Sequence, residues 1–323
     1  MFDLEPHKVA SILVWVTSLS GMFSNGVVFC WVTKMPSMQN PFGRIARNQS
    51  LTGFLHACGY FFFFAPMLYF DIKAWKDPKI SSWFGQLEDT FYDACLYCHL
   101  FISLNRIISI WFPMYYDLIF TKNRVRLINF LVWAVAIGLN FYFLRWADCR
   151  IQYGEEVWGV VFLNTELCFK IGMAFVVHKG IILTMIIAFL DMCTFLKCRV
   201  HGRQLLRLTT DTQARNRKIM EITFVTQSFV QAFIFILELL TYFVFVNWTD
   251  SKLAKFALKT IAWIMVHSLD GFIAILFNKE FIRKVFISKQ RRVASDYRSS
   301  QVNTTGTAAA LTIHSVAIDI QKK

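Results

Sequence analysis

One arginine interrupts the apolar run that covers residues 90 to 116. A permanent charge inside a membrane helix is costly, so Arg106 should face the protein interior or a water-filled cavity. At about 100° per residue, the same helix face carries a line of polar and titratable side chains: Ser103, His99, Cys95, Tyr92 and Glu88. Asp93 projects to the opposite side. The pattern predicts a membrane helix with a functional inward face.

Two acids and two aromatic side chains could form a ligand site near the outer membrane surface. Glu88 precedes Arg106 by 18 positions, close to five turns, which places it roughly 27 Å higher on the same face. Tyr92 lies one turn below Glu88, and Glu238 and Trp263 reach a similar depth on later segments. The set suits a small ligand with a cationic or hydrogen-donating group. The alternative is that Glu88 complements its helix N-terminus and Glu238 binds internal water.

Sequence patterns for catalysis or metal binding are missing from the chain. No two histidines stand at helical i, i+4 spacing for zinc, and there is neither a Gly-x-Ser-x-Gly elbow nor a phosphate-cradling glycine loop. His56, His99 and His267 fall in three different apolar segments. We therefore predict no catalytic residues, no cofactor and no metal site, and we do not expect an enzyme.

Seven apolar stretches are each long enough to cross roughly 30 Å of hydrocarbon. Of the 323 residues, 56% are hydrophobic and only 17% are charged, which is far more apolar than a soluble domain. The predicted spans cover residues 9–33, 45–70, 89–112, 125–147, 171–196, 219–246 and 256–277. The predicted fold class is an all-α membrane protein, a seven-transmembrane helix bundle with a short amphipathic helix after the last span.

The net charge of +13 is distributed unevenly between the two sides of the membrane. Lys and Arg concentrate in alternate loops, above all in residues 197–218, and in the tail, and the positive-inside rule places these in the cytoplasm. Anionic lipid is a second partner for this basic side, and no nucleic-acid-binding module is present. We expect a short extracellular N-terminus over 1–8, a membrane domain over 9–287 and a disordered cytoplasmic tail over 288–323.

The end of the third span carries a recognisable motif. Asn105-Arg106-Ile107, followed by Pro113 and Tyr116 seven and ten positions after the arginine, resembles the Asp-Arg-Tyr box of rhodopsin-like G protein coupled receptors. The stretch LFISLNRIISIWFP is similar to nematode serpentine chemoreceptors of the srx class. The resemblance implies that these five residues couple to a heterotrimeric G protein, with Arg106 engaging it or holding the inactive state.

The outer loop from 146 to 169 departs from the rhodopsin-like pattern. Those receptors join the top of the third helix to this loop by a disulfide, but the matching region near Ser81 has no cysteine. Cys149 and Cys168 both lie in the loop and would pair with each other in an oxidising compartment; two free thiols are the alternative. In the following span, Lys179 should extend toward the membrane interface.

The resemblance implies a chemosensory receptor that binds a small molecule outside the cell and activates a heterotrimeric G protein. It further implies a multi-pass plasma-membrane protein with its N-terminus outside, in the cilia of sensory neurons. A seven-span transporter or ligand-gated channel is an alternative, but transporters tend to show repeated halves, and no such repeat is present. A neuropeptide receptor of the same fold remains a third candidate.

Overall fold

Seven long helices form a bundle in the computed structural model, which describes residues 5–208 and 212–282. The helices α1 to α7 cover Pro6–Lys34, Pro41–Tyr69, Pro78–Trp111, Lys122–Tyr142, Glu166–Val200, Ile219–Phe243 and Lys252–Phe277. Helical structure continues to Arg145 after α4 and to Leu208 after α5, and it begins at Thr212 before α6. All seven are long and apolar enough to cross a membrane, which confirms the predicted architecture.

Proline residues and capping side chains set where the first three helices begin. Each has a proline in its first turn, where the missing N–H costs no hydrogen bond. The Asn40 side chain accepts a hydrogen bond from the Gly43 N–H at 2.9 Å, and Asp77 accepts one from Lys79 N–H at 2.9 Å. Helix α3 therefore begins at Pro78 instead of residue 89. The earlier boundary followed hydropathy, whereas the cap and proline determine the actual start.

A two-stranded hairpin occupies the loop between α4 and α5. Strands β1 (Ile151–Gly154) and β2 (Gly159–Phe162) pair antiparallel, and the sequence analysis predicted no strand there. The backbone of β1 rests on α3 at Gly85, where a Cβ atom would collide with the Ile151 carbonyl oxygen. A glycine is needed for this close approach. We call this side of the bundle the hairpin end and the opposite side the Arg106 end.

Three helices contain a π-helical turn near the hairpin end. These turns cover Tyr60–Phe64 in α2, Met173–His178 in α5 and Ala257–Ile261 in α7. Each inserts an extra residue into the hydrogen-bonding pattern and rotates the side chains that follow. Such turns occur frequently at functional sites. Their location therefore indicates a functional site at the hairpin end.

The bundle is polar inside and apolar outside. Helix α3 is central and packs against α2, α4, α5 and β1. Buried polar side chains include Asn25, Gln49, His56, Glu88, Asp93, His99, Gln231 and Asp270. Large apolar side chains are exposed along the outer surface, for example Phe130, Ile137, Phe141, Ile182, Phe189 and Phe233. This arrangement suits a lipid surround, because polar groups in a membrane protein face the bundle interior.

The chain from Asn278 onward forms a second unit. The structure describes a short helix there over Lys279–Phe281. The rest of the predicted amphipathic helix, including Arg283 and Lys284, lies outside the described residues. The predicted disordered tail over 288–323 does so too.

Candidate functional site

A cavity of about 260 Å³ opens at the hairpin end of the bundle. This is slightly below the roughly 300–1,000 Å³ of typical small-molecule pockets. Its wall is mainly apolar, with contributions from Val160, Val161, Phe162, Val176 and Val177. Six lining side chains carry a polar group: Asp89, Tyr92, Glu238, Tyr242, Lys259 and Trp263. A few polar groups in an apolar wall are typical of a ligand site.

Each of three helices places two of these six side chains in the cavity. Asp89 and Tyr92 come from α3, Glu238 and Tyr242 from α6, and Lys259 and Trp263 from α7. Within each pair the residues are three or four positions apart, so they lie on one helix face. Strand β2 and the π-helical part of α5 contribute to the rest of the wall.

The two acids of the cavity each have a buried oxygen that lacks a hydrogen bond. Asp89 Oδ2 and Glu238 Oε2 accept none from any residue that the structure describes. Buried polar atoms nearly always have a partner, and each exception calls for an explanation. The Lys259 ammonium lies 5.0 Å from the centroid of the Tyr242 ring. The cavity therefore offers two carboxylate acceptors to a ligand's donor group, and Lys259 adds one cationic group.

The hairpin is joined to its neighbours by ion pairs around one lysine. Lys76 Nζ donates to Asp71 Oδ1 at 2.6 Å and to Glu155 Oε2 at 3.0 Å. The hydrogen bond from Lys76 holds the pKa of Asp71 below its usual value. Partial burial would raise the pKa of Glu155, but hydrogen bonds from Lys76, Tyr153 and Trp158 outweigh it and leave that pKa lowered. Both acids are thus held as carboxylates.

A disulfide and a buried tryptophan further fix the hairpin over the bundle. The structure joins Cys149 to Cys168, and these flank both strands. Trp158, in the hairpin turn, is buried and packs edge-on against Phe256 of α7. The Thr260 hydroxyl donates to the Trp158 carbonyl oxygen at 3.4 Å. Several independent contacts therefore hold the hairpin in place beside the cavity.

At the opposite end, Arg106 is enclosed by aromatic rings. Its guanidinium carbon lies 3.5 Å from the centroid of Phe42 and 4.9 Å from that of Phe224. Its Nε and Nη2 atoms are buried and have no acceptor among the described side chains. Cation–π contacts stabilise the charge, but they leave these hydrogen-bond donors unused.

The family model of the serpentine type 7TM GPCR chemoreceptor Srx matches residues 15–278. The chain belongs to the Srx family. The Caenorhabditis elegans protein Serpentine receptor class X 45 is 32% identical over 289 residues, which cover 85% of this chain and 80% of that protein. Serpentine receptor class X-43, from the same organism, is 21% identical over 281 residues, with 86% of each chain covered.

The fold of this Srx receptor is shared with rhodopsin. The solved structure of squid rhodopsin matches with a TM-score of 0.68 at 15% identity, covering 88% of this chain and 87% of rhodopsin. The resemblance to srx-class receptors is thus confirmed, and so is the fold class. The family is one of G protein coupled receptors and not of enzymes.

The motif residues at the Arg106 end occupy two helices of this Srx receptor. Asn105 and Arg106 are buried in α3, and Ile107 is half-buried. Pro113 begins a separate short helix, Pro113–Ile119, that carries Tyr116. The Asn105 side chain donates a hydrogen bond to the Tyr116 hydroxyl at 3.2 Å. Asn105 therefore holds the short helix against α3, in place of the ion pair that an aspartate would make with Arg106.

Three of the four predicted ligand residues line the cavity of this Srx receptor, but Glu88 does not. Tyr92, Glu238 and Trp263 contribute to the wall. Glu88 is instead completely buried against α2, with its Oε2 atom 2.9 Å from His56 Nδ1. A Cβ atom at Gly59 would overlap its carboxylate, so glycine makes room for it there. The helix-face argument placed Glu88 at the ligand site, but Glu88 packs against α2 and its neighbour Asp89 lines the cavity instead.

Two further cavity residues could have been found by extending the same pattern. Tyr242 lies four positions after Glu238, and Lys259 lies four positions before Trp263, so each shares a helix face with a predicted residue.

The position of Lys179 differs from the sequence prediction. Its ammonium does not extend to the interface but donates to Asp93 Oδ1 at 2.6 Å. Asp93 faces away from the cavity stripe, as predicted, and is buried.

Proposed function

We propose that this Srx receptor binds a small molecule with a cationic or other hydrogen-donating group in the cavity and, in response, activates a heterotrimeric G protein. One observation carries the ligand proposal: Asp89 and Glu238 line the cavity, and each has a buried oxygen without a described donor. A protonated amine would supply donors to both and would compensate their charge. Charge-assisted hydrogen bonds of this kind are stronger than neutral ones.

The size and wall of the cavity favour a small molecule over a peptide. A volume of about 260 Å³ accommodates a compact ligand. A neuropeptide would first have to displace the hairpin, which Trp158 and the disulfide hold in place. The valine-rich side of the cavity suits an apolar body. Lys259 can bind an acceptor group at the other end of the ligand.

We further propose that the hairpin end faces outward and the Arg106 end faces the cytoplasm. The disulfide at the hairpin end supports this, because disulfides persist in oxidising compartments, and the positive-inside rule agrees. The helices α1 to α7 would then span the plasma membrane, with sensory cilia as the expected location. An epitope inserted at 209–213 should bind antibody only after permeabilisation, and binding on intact cells would refute this orientation.

The Arg106 end is proposed to bind the G protein. Buried Nε and Nη2 atoms of Arg106 provide donors for an acceptor on the partner once the flanking rings of Phe42 and Phe224 separate. Asn105, Ile107, Pro113 and Tyr116 would shape the adjoining surface. The surrounding lipid would contact the exposed apolar side chains of the spans.

The test uses cells that express the receptor and a panel of small amines, neutral analogues of the same shape, and peptides. Asp89→Asn and Glu238→Gln should each weaken the response to an active amine. A hydrogen bond to a charged group contributes roughly 1.5–3 kcal/mol, so potency should fall about 10- to 150-fold. Surface expression should be unchanged.

Glu88→Gln is the matched control, because Glu88 is an equally buried acid on the same helix but lies outside the cavity. Its potency should stay within a few-fold of wild type. If both cavity variants kept wild-type potency, or if Glu88→Gln alone weakened the response, the proposed ligand site would be wrong. A response confined to peptides would refute the ligand class.

A further inference from the structure

Three possible metal ligands from α3 and α7 meet in the buried centre of the bundle. The Sγ atom of Cys95, a ring nitrogen of His267 and a carboxylate oxygen of Asp270 all lie within 4.8 Å of one another. It is the one group of its kind in the part of the chain that the structure describes. We propose that these residues bind a zinc ion, a function separate from the ligand cavity.

The state of the His267 ring points to a missing ligand. The side chain is 2% exposed, and neither ring nitrogen has a hydrogen-bond partner among the described residues. The ring lies against aromatic side chains, with its centroid 4.3 Å from that of His56 and 5.5 Å from that of Tyr92. Packing alone does not explain a buried imidazole with two unpaired nitrogens, whereas metal binding would use one of them.

Side chains of neighbouring helices hold the α7 backbone around these residues through hydrogen bonds. The Asn25 side chain of α1 donates to the His267 carbonyl oxygen at 2.9 Å. The Gln231 side chain of α6 donates to the Asp270 carbonyl oxygen at 3.4 Å. These contacts fix α7 while the His267 ring and the Asp270 carboxylate remain available as ligands. A positioned backbone reduces the reorganisation that binding requires.

The carboxylate of the site has an orienting partner. His99 Nε2 lies 2.8 Å from Asp270 Oδ2, and Gln49 Nε2 lies 2.9 Å from the same His99 atom. Hydrogen-bonded groups behind a metal ligand fix its orientation and commonly change metal affinity 10- to 100-fold. His99 is therefore a positioning residue, and Cys95, His267 and Asp270 are the proposed ligands.

The chemistry of the three ligands favours zinc over a hard cation. Zinc accepts thiolate, imidazole and carboxylate ligands in a tetrahedral arrangement, whereas sodium, magnesium and calcium prefer oxygen. Binding converts the Cys95 thiol to a thiolate and releases its proton to water. The thiolate and the Asp270 carboxylate then neutralise the two charges of the ion, which suits a site buried away from solvent. A water molecule can complete the tetrahedron.

The geometry needs only a small adjustment. Zinc bonds of about 2.0–2.3 Å place neighbouring ligands roughly 3.3–3.8 Å apart, and Cys95 Sγ already lies 3.7 Å from Asp270 Oδ2. Side-chain rotation can close the remaining gap of about 1 Å. Because the ligands come from two helices, the ion would join α3 to α7 one turn from Tyr92 and Trp263 in the cavity wall.

The test measures metal bound to the purified full-length receptor in detergent, without any agonist. After removal of metal by a chelator and reloading with zinc, gel filtration and elemental analysis should give one ion per chain. Cys95→Ser and His267→Gln should abolish this binding, and His99→Gln should weaken it about 10- to 100-fold. Cys98→Ser is the matched control, since Cys98 is an equally buried cysteine of α3 outside the group, and it should bind like wild type.

Cobalt provides a second measurement that does not depend on folding of the Cys95 variant. Cobalt bound through a thiolate shows a charge-transfer absorption band. This band should persist when the other cysteines outside the disulfide, namely Cys30, Cys58, Cys98, Cys193 and Cys198, are all replaced by serine. Loss of the band in that variant would overturn the proposal. So would undetectable zinc binding by wild type, or full binding by Cys95→Ser.

Discussion

Replacing Lys179 by methionine should destabilise the receptor by about 3–4 kcal/mol at pH 7. The Asp93 side chain is 1% exposed and that of Lys179 is 17% exposed, so the pair is largely shielded from solvent. After the substitution, the remaining described donor to the carboxylate is Asn140 Nδ2 at 3.4 Å. Removing one partner of a buried ion pair typically costs this much, because the other charge stays buried without compensation.

Protonation of the Asp93 carboxylate, which has lost its lysine partner, sets an upper limit on the loss of stability. Each pH unit above an ordinary carboxyl pKa of about 3.9 costs about 1.4 kcal/mol. Taking up a proton therefore costs about 4 kcal/mol at pH 7 and about 1.5 kcal/mol at pH 5. Because this cost falls with pH, the stability of the Lys179→Met variant relative to wild type should rise as the pH falls from 7 to 5.

The measurement is unfolding of the purified receptor in detergent, followed by tryptophan fluorescence at both pH values. Lys170→Met is the matched control, since Lys170 pairs with Glu166 at 2.6 Å on the same helix but the side chains are 70% and 82% exposed. It should lose at most about 1 kcal/mol. The double variant Lys179→Met, Asp93→Asn should recover most of the loss. Equal losses for both lysine variants, or additive losses in the double variant, would refute the reasoning.

Three further predictions concern the two ends of the bundle. Replacing both Cys149 and Cys168 by alanine removes a link across 19 positions, which should cost about 3 kcal/mol and speed hydrogen exchange in the hairpin; unchanged exchange would contradict this. Because the pKa values of Asp71 and Glu155 are lowered in the folded state, their ion pairs with Lys76 should persist above about pH 4 and weaken below it. Hairpin exchange should follow that change, and Lys76→Met should weaken the dependence, since Tyr153 and Trp158 still donate to Glu155. Arg106→Ala should abolish G protein activation at equal surface expression, and wild-type signalling would eliminate the proposed role.

Hydropathy and motif spacing predicted the seven spans and the family, but not every boundary. The start of α3 was missed because Asp77 and Pro78 initiate a helix in a stretch too polar to resemble a membrane span. The hairpin was missed because a four-residue strand has little signal of its own. Its position depends on Gly85, a residue of α3 far away in the sequence.

The site shows the same distinction between local and long-range information. Tyr92, Glu238 and Trp263 were identified from helix faces, which are local properties. Whether Glu88 or Asp89 faces the cavity depends on how α2 packs against α3, and a one-residue step rotates a side chain by about 100°. The metal proposal could not arise from spacing either, because its ligands belong to two different helices.

Within α3, unpaired buried polar atoms occur both at the cavity and near the opposite end of the helix. Asp89 at the cavity and Arg106 at the opposite end both have buried atoms without described partners, and they are 17 positions apart on one helix, roughly 26 Å by the helix rise. Cys95 lies between them. Places where a sequence breaks the rules of packing and polar satisfaction tend to be functional. Since one continuous helix carries all three, a ligand that draws Asp89 toward the cavity would act on the same rigid element that carries Arg106.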